Sequence, residues 1–164
     1  MARLDLMRPG SSRVRWVRSD RFHLTIKFLG ETSTDLLPGI KAALGDVADA
    51  TPPLLMGLTH GGVFPSAGPP RVIWLGLTPG AGLADLAARV DRGLLPLGFD
   101  LEKRPFHPHL TLGRAESGAF FDRALLERPL QAEPVKVNLL ALVQSDLKPK
   151  GSVHETIEEW VLGG

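Results

Sequence analysis

The sequence predicts an α+β fold for this chain of 164 residues. Several short runs alternate polar and apolar residues, which is the pattern of strands with one buried face. Two longer stretches repeat apolar residues at helical spacing, and the order strand, helix, strand, strand occurs about twice along the chain. Because no linker-like stretch divides the sequence, we expect residues 1–164 to form a single structural domain.

The first half of the chain is expected to hold one helix among five strands. The helix should begin at Ser33 or Thr34, whose hydroxyl can cap the first turn, and end before the two prolines at 52 and 53. Four apolar residues form its buried face: Leu37, Ile40, Leu44 and Val47. The expected strands cover residues 2–7, 13–18, 22–29, 54–59 and 71–77, with a glycine- and proline-rich loop at 61–70.

The second half is expected to hold a second long helix, a short helical stretch and three strands. The long helix follows a Pro-Gly turn at 79–80, and its buried face consists of Leu83, Leu86, Ala87, Val90 and Leu94. The strands lie around residue 109, at 135–144 and at 153–162, and the short helical stretch lies near 120–127.

A short pattern that occurs twice is the strongest functional signal in the sequence. It reads His-Leu-Thr-Ile from His23 and His-Leu-Thr-Leu from His109. Alternate side chains of a strand point to opposite faces, so each histidine shares a face with the threonine two residues later. One copy alone would be a partly buried histidine bonded to a backbone carbonyl, but two copies with matched flanks favour function.

Two histidines can supply both halves of acid and base catalysis. An imidazole titrates at about pH 6.5, so one ring can hold a proton while the other accepts one. In-line displacement at phosphorus uses such a pair, because the nucleophile must lose a proton and the leaving oxygen must gain one. Hydroxyl groups can donate hydrogen bonds to the phosphate oxygens and stabilise the charge that develops on them. This scheme requires no metal ion.

The segments around both motifs resemble a known family. They are similar to the two-histidine (2H) phosphoesterases, and in particular to the RNA 2′,3′-cyclic phosphodiesterases, historically called 2′-5′ RNA ligases (LigT or ThpR type). The resemblance spans roughly residues 13–162. It is carried by VRWV from Val14, FHLTIKFLG from Phe22, GVFPS from Gly62, PRVIWLG from Pro70, RPFHPHLTL from Arg104 and SDLKPKG from Ser145.

The resemblance implies a bilobal 2H phosphoesterase fold. Two pseudo-symmetric lobes of antiparallel sheet, with outer helices, would face a central cleft, and each lobe would contribute one histidine motif. Family members usually carry a strand and a helix before the first motif. Here Pro9-Gly10-Ser11-Ser12 interrupts that stretch, so we expect the helix to be missing and the first lobe to be shortened.

The resemblance also implies roles for the motif residues. His23 would be the proton donor to the departing ribose O3′, and His109 would be the proton acceptor that activates water, giving a 2′-phosphate end. Thr25, Thr111 and the nearby Arg114 would bind the phosphate.

Two residues after the first motif are candidates for nucleotide contact. Phe28 could stack on a nucleobase, although its alternation relative to His23 favours a core position. Lys27 shares the parity of His23 and could line the cleft, or it could be a solvated strand end.

The expected substrate is RNA with a 2′,3′-cyclic phosphate end or a small cyclic nucleotide, with reversible 2′-5′ ligation as a related reaction. Two rival functions remain open. A metallohydrolase could use His23, His107 and His109, although no carboxylate stands at a recognised ligand spacing, so we expect no metal or other cofactor. A noncatalytic RNA-binding or nucleotide-binding module is the second rival.

Composition narrows the class of protein. The chain has 19 Lys and Arg against 18 Asp and Glu, a net charge of +1, which predicts no global attraction to nucleic acid. Without cysteine it has no disulfide, thiolate-zinc site or cysteine nucleophile. No apolar run reaches the roughly 18 residues of a membrane helix, and no signal peptide is evident. We expect a cytoplasmic monomer without membrane contacts.

Overall fold

The fold was analysed in a computed structural model that describes residues 11–78, 81–127, 133–148 and 151–164. The strand expected at 2–7 and the turn expected at 79–80 lie outside these residues. The α+β class is confirmed by helices and antiparallel sheets. The strands are β1 (Ser12–Trp16), β2 (Leu54–Met56), β3 (Leu58–Phe64), β4 (Val72–Leu77), β5 (His109–Phe120), β6 (Val135–Val137), β7 (Leu139–Lys148) and β8 (Gly151–Val161). The α-helices are α1 (Leu37–Asp49), α2 (Ala81–Leu94) and α3 (Ala124–Glu127).

The chain divides into two compact units. Among the described residues, the first unit comprises 11–25, 56–78, 107–127 and 133–135, and the second comprises 26–55, 81–106, 136–148 and 151–164. The assignment of residues 1–164 to one bilobal domain stays a prediction.

The first unit is built on an antiparallel sheet with the strand order β1-β5-β4-β3. One face of this sheet holds the core, and α3 packs against β3. The buried core residues are Ile73, Leu75, Leu112, Phe121 and Leu126. Because side chains alternate along β4, the neighbours of Ile73 and Leu75 point to the opposite face, where the motif residues of β5 also lie.

In the second unit, α1 packs against α2 and against the β7–β8 hairpin. The Ser33 hydroxyl accepts a hydrogen bond from the Asp35 amide, which confirms the expected cap. The predicted helix faces are confirmed as well, although Leu37 and Ala87 are only half-buried. The buried residues include Ile40, Leu44, Val47, Leu83, Leu86, Val90, Leu94, Leu140, Leu142 and Leu162.

The strand expected at residues 22–29 is wrong. This segment makes a single antiparallel bridge, between Leu24 and Leu110 of β5. Continuing that ladder in one direction would set residue 26 opposite Pro108, which has no N–H and whose carbonyl already accepts from the Leu77 amide of β4 at 3.2 Å. In the other direction, the carbonyl of Leu112 already accepts from the Val17 amide at 2.8 Å. The strand therefore cannot extend on either side of the bridge.

Two other expectations about strands need correction. Residues 54–59 form two strands separated at Gly57, whose amide and carbonyl both bond to Thr78. β3 also runs to Phe64, into the loop expected at 61–70, because its two glycines leave room for neighbouring side chains. The strand expected at 135–144 is divided at Asn138, whose carbonyl accepts from the Leu162 amide.

Candidate active site

The histidine and the threonine of both motifs lie in the first unit, and one bridge sets the two motifs against each other. In an antiparallel register, the bridge between Leu24 and Leu110 places His23 opposite Thr111 and Thr25 opposite His109. Directly opposite side chains have Cβ atoms about 5 Å apart, and diagonal neighbours are about 7–8 Å apart. The two imidazoles are such diagonal neighbours.

The orientation of both imidazoles is controlled by the same local hydrogen bond. His23 Nδ1 lies 3.0 Å from the carbonyl oxygen of Arg21, and His109 Nδ1 lies 2.8 Å from that of His107. A carbonyl only accepts, so each Nδ1 must carry the proton and donate it. Each Nε2 therefore accepts a proton when its ring is neutral and donates one when its ring is charged.

The two threonines are half-buried and share this arrangement. Each hydroxyl lies two residues from the histidine of its own motif and opposite the histidine of the other. A hydroxyl can donate to a phosphate oxygen, so the pair can provide neutral donors on both sides of a bound phosphate.

Arg114 joins the motif face through a β-bulge. Trp74 of β4 lies opposite Thr111, but Val72, two residues earlier, lies opposite Arg114, three residues later. β5 therefore contains one residue more than β4 at this point, which resets the alternation of its side chains. Because Val72 and Trp74 share a face of β4, exposed Arg114 shares the face of Thr111.

The ring of His109 lies among aromatic side chains to which the repeated motif assigns no role. Phe64 meets it edge to face with 5.3 Å between ring centroids, and Trp74 does so at 6.3 Å. Phe64 and Trp74 stack on each other at 5.1 Å, and a Cβ at Gly62 would overlap the indole. All three residues stand in segments that carry the family resemblance, and that was the signal available for them.

His107 supports His109 in two ways. Its carbonyl accepts the Nδ1 proton of His109, and its own ring packs edge to face against Trp74, with 5.0 Å between centroids. Within the described part of the chain, no three His, Cys, Asp or Glu side chains group closely enough to hold a metal ion.

Lys27 and Phe28 lie in the second unit, in surroundings that differ from those expected. The Lys27 side chain is 12% exposed, its ammonium pairs with Asp91, and it donates to the Asp100 carbonyl at 2.7 Å. This pairing argues against a nucleotide contact by Lys27. Phe28 is 86% exposed, so the core position favoured by its alternation is wrong.

The family described as the 2′-5′ RNA ligase superfamily matches residues 2–149 of this chain. The chain belongs to the 2′-5′ RNA ligase superfamily. This assignment confirms the recognition of a 2H phosphoesterase from the sequence segments.

Relatives within the superfamily cover most of the chain. It is 34% identical to the RNA 2′,3′-cyclic phosphodiesterase of Aeropyrum pernix, over 89% of this chain and 85% of that protein. It is 30% identical to the enzyme of the same name from Aquifex aeolicus, over 92% of this chain and 82% of that protein. A Geobacillus stearothermophilus relative of that name is 31% identical over 91% of this chain, which spans only 48% of the relative's length.

Solved structures of superfamily relatives share the fold. A Thermus thermophilus protein superposes with a TM-score of 0.80 at 29% identity, covering 98% of this chain and 88% of that one. E. coli LigT in its apo form gives 0.77 at 27% identity, covering 99% of this chain and 87% of LigT. LigT has also been solved with 3′-AMP, and that complex gives 0.72 at 26% identity, covering 93% of this chain and 83% of LigT.

No α-helix among the described residues is long and apolar enough to cross a membrane.

Proposed function

We propose that this protein hydrolyses the 2′,3′-cyclic phosphate end of RNA to a 2′-phosphomonoester by acid and base catalysis with His23 and His109. The observation that carries the proposal is the antiparallel register of the two motifs about the Leu24–Leu110 bridge. That register offers two imidazoles and two hydroxyls on one face, as displacement at phosphorus requires. Several superfamily relatives are named RNA 2′,3′-cyclic phosphodiesterases, which supports the same activity here.

In the proposed reaction, neutral His109 accepts a proton from water at Nε2 while the water oxygen forms a bond to phosphorus. The bond between phosphorus and O3′ breaks on the opposite side, and protonated His23 gives its Nε2 proton to O3′. The products are a 2′-phosphate and a free 3′-hydroxyl, and water has supplied both the oxygen and the proton. Proton exchange with solvent then returns His109 to its neutral form and His23 to its protonated form before the next turnover.

Thr25, Thr111 and Arg114 would bind the nonbridging phosphate oxygens. The threonine hydroxyls donate from the two sides of the motif pair, and the guanidinium adds a charged donor from the same sheet face. Donors fixed before the reaction stabilise charge that develops in the transition state without further reorganisation. Arginine suits this role because its planar fork can contact two oxygens of one phosphate.

The near-symmetry of the motif pair also favours the reverse reaction as a second activity. When the 5′-hydroxyl of another strand takes the place of water, His109 accepts its proton, the bond between O5′ and phosphorus forms, and the bond to O3′ breaks as His23 protonates O3′. In the reverse cleavage, O3′ attacks phosphorus and O5′ leaves, so the two rings exchange the roles of base and acid by microscopic reversibility. Reversible 2′-5′ ligation is therefore a related proposal, and a small cyclic nucleotide is an alternative substrate. The monomeric state and the cytoplasmic location stay predictions.

The deciding experiment is hydrolysis of a short RNA that ends in a 2′,3′-cyclic phosphate, with EDTA present. Wild type is compared with His23→Ala, with His109→Ala and with His154→Ala, an exposed histidine on β8 of the second unit, as the matched control. We expect a 2′-phosphate product from wild type and from the control, and almost none from the two motif variants.

Other outcomes would refute the proposal in distinct ways. Activity that disappears with EDTA would indicate a metallohydrolase. Folded wild-type protein that binds the RNA without converting it would indicate the noncatalytic binding module. Turnover of nucleoside cyclic phosphates but not of RNA would restrict the activity to small substrates.

A further inference from the structure

A second arginine lies beside Arg114 on the sheet of the first unit. In the antiparallel pairing of β1 with β5, Arg15 is the direct partner of Arg114. Val14 and Trp16, on either side of Arg15 in the chain, pack against the core, so Arg15 points to the opposite face. This is the motif face, which also carries Arg114, and directly opposite side chains have Cβ atoms about 5 Å apart. The two strands thus present two arginines side by side.

The positive charge of this pair is only partly balanced. Nε of Arg15 lies 3.3 Å from a carboxylate oxygen of Glu116, which leaves its two terminal nitrogens for another acceptor. Within the described part of the chain, no ion pair joins Arg114 to a carboxylate. Two guanidinium groups therefore share one acidic side chain, and like charges directly opposite each other repel. An anion bound at this point would relieve the repulsion.

Arg15 lies along the same edge of β5 as the first motif. β4 occupies the other edge, where it pairs with β5 from residue 109 to residue 114. A strand has only two edges, so β1 and the bridging residue Leu24 both lie along the edge that β4 leaves. His23 is next to Leu24 in the chain, whereas His109 belongs to β5 itself. The motif histidine on the side of Arg15 is therefore His23.

We propose that Arg15 binds the phosphodiester that precedes the terminal nucleotide of the RNA. The inference rests on the proposed function, in which His23 gives its proton to O3′ of the terminal ribose. That ribose then lies on the His23 side of the phosphorus, and the RNA continues from it through its 5′-phosphodiester. Arg15 is the cation on that side, while Arg114 remains for the cyclic phosphate. A contact to phosphate carries no base information, so it would position an RNA end of any sequence.

The contact predicts a preference for RNA ends over mononucleotides. Adenosine 2′,3′-cyclic phosphate has no 5′-phosphodiester, whereas the ApA dinucleotide with the same cyclic end has one. The test compares kcat/KM of wild type and Arg15→Ala on these two substrates. We expect Arg15→Ala to lose about tenfold with the dinucleotide, because a charged hydrogen bond to phosphate is removed. With the mononucleotide it should match wild type.

A neutral linkage isolates the charge of that phosphate. In a third substrate, the internal phosphodiester of the dinucleotide is replaced by an uncharged methylphosphonate. Wild type should lose about tenfold with this substrate, for the same reason. Arg15→Ala should lose nothing further, because the contact is already absent. Such non-additivity assigns the effect to the pair formed by Arg15 and that phosphate.

Two other variants serve as controls. The Arg18 guanidinium is already engaged by both carboxylate oxygens of Asp20, at 3.1 and 2.9 Å, so Arg18→Ala should match wild type on every substrate. Glu116→Gln removes the carboxylate that competes for Arg15 and should raise kcat/KM for the charged dinucleotide alone. Thermal melting of Arg15→Ala should match wild type, since the side chain is 57% exposed.

Three outcomes would overturn the proposal. Equal losses by Arg15→Ala with the mononucleotide and the dinucleotide would place Arg15 at the cyclic phosphate instead. An unchanged value with the dinucleotide would remove Arg15 from the substrate. An equal loss by Arg15→Ala with the phosphodiester and the methylphosphonate would show that the effect does not depend on the phosphate charge.

The contact can fail separately from the proposed function. If wild type converts neither cyclic substrate, calorimetric titration with adenosine 2′-phosphate and with ApA that ends in a 2′-phosphate replaces the kinetics. Weaker binding of the dinucleotide alone by Arg15→Ala then supports the contact although hydrolysis is absent, and equal binding overturns it. Intact hydrolysis of the dinucleotide by Arg15→Ala overturns the contact and leaves the catalytic proposal standing.

Discussion

The two histidine motifs have nearly the same sequence but very different surroundings. His109 begins the 12-residue strand β5 and lies against Phe64 and Trp74. His23 is exposed and lies in an irregular segment. This segment pairs with the sheet at one bridge, which is made by the next residue, Leu24.

The two motifs are alike in the groups that surround each imidazole but differ in how the fold anchors them. Both rings have a carbonyl partner at Nδ1, and each faces the threonine of the other motif, so their chemical equipment is equal. Their anchoring is unequal. A central strand and two aromatic rings hold the second motif, whereas the first motif meets the sheet at one bridge and follows Phe22, which packs against the core. We therefore expect similar losses when either ring is removed, but different responses when the surroundings are altered.

The largest effect should come from the rings themselves. His23→Ala and His109→Ala should each lower kcat/KM by a factor of about 10² to 10⁴, the usual contribution of a general acid or base. The pH profile of the wild type should be bell-shaped, because one ring must be neutral and the other protonated. His109→Ala should lose the acidic limb of the profile, and His23→Ala should lose the alkaline limb.

The pH profiles of these two variants test the division of roles. If His23→Ala lost the acidic limb instead, His23 would be the base and the assignment would be reversed. If both variants kept both limbs, the limbs would report other groups, and the two-histidine scheme would be wrong.

The next largest effect should follow from removing the aromatic support of His109. Trp74 is 8% exposed, so Trp74→Ala should lower the free energy of unfolding by about 3–5 kcal/mol. It should also lower kcat/KM about tenfold, in line with the sensitivity of rates to small misplacements of a reacting group. Trp74→Phe should lose much less, because a flat ring remains and the indole N–H has no hydrogen-bond partner among the described residues. Chemical unfolding and steady-state kinetics below the unfolding temperature would measure both quantities.

The matched control for the indole is Trp160→Ala, a half-buried tryptophan of the second unit. It should lower stability while leaving kcat/KM of the folded protein unchanged. A Trp74→Ala variant that is unstable but fully active would show that the indole supports the sheet and has no influence on the His109 ring.

An effect on substrate binding, without the loss of stability expected for Trp74→Ala, should follow from removing Arg114, which the β-bulge directs to the motif face. Arg114→Ala should raise KM about tenfold, because a charged hydrogen bond to phosphate contributes about 1.5–3 kcal/mol at most. Gly113→Ala should act in the same direction, since its Cβ would lie 3.1 Å from the Trp16 ring and 3.2 Å from the Arg15 carbonyl. Arg89→Ala, an exposed arginine on α2, is the control and should leave KM unchanged. An unaltered KM in Arg114→Ala would remove this residue from the phosphate site.

The smallest effect on activity should come from the ion pair that anchors the chain two residues beyond Thr25. Burial raises the pKa of Asp91, but the Lys27 ammonium and the Glu102 amide outweigh it and hold that pKa below its usual range. Unfolded Asp91 therefore binds a proton more readily than folded Asp91, so the stabilisation is complete at neutral pH and disappears as the pH falls below about 4. Asp91→Asn should lower the free energy of unfolding at pH 7 by about 2 kcal/mol and remove this acid dependence.

Asp85→Asn is the matched control for this pair. Asp85 pairs with Arg89 on the exposed face of α2, where an ion pair contributes less than about 1 kcal/mol. Urea titrations of both variants between pH 3 and pH 7 would make the comparison. A loss from Asp91→Asn no larger than that from Asp85→Asn would show that the Lys27 pair is not an anchor.

The sequence was sufficient for the parts of the site that repeat or alternate. The motif spacing predicts which side chains share a face, and Ile40, Leu44, Leu86 and Val90 are buried as their helical periods require. It was insufficient where one residue changes the pattern. Pro108 limits the pairing of residues 22–29 with the segment around Leu110. The sequence of residues 22–29 alone does not reveal this limit.

The position of Arg114 illustrates the same limit. Three residues separate it from Thr111, and that odd number would place it on the core face of a regular strand. The register of β4 against β5 shows the extra residue that restores it to the motif face. The ion pair of Lys27 with Asp91 could not be predicted for a related reason, because the two residues are distant in sequence and only tertiary packing brings them together.

The hydrogen bond at Nδ1 has an evolutionary consequence. A carbonyl oxygen belongs to every residue type, so no substitution two positions before either motif histidine can delete the group that orients its ring. Arg21 and His107 differ in size and in charge, yet they provide the same oxygen. Natural selection can therefore change the Arg21 side chain, or exchange the His107 ring for another that packs on Trp74, while the backbone preserves the orientation of both motif imidazoles.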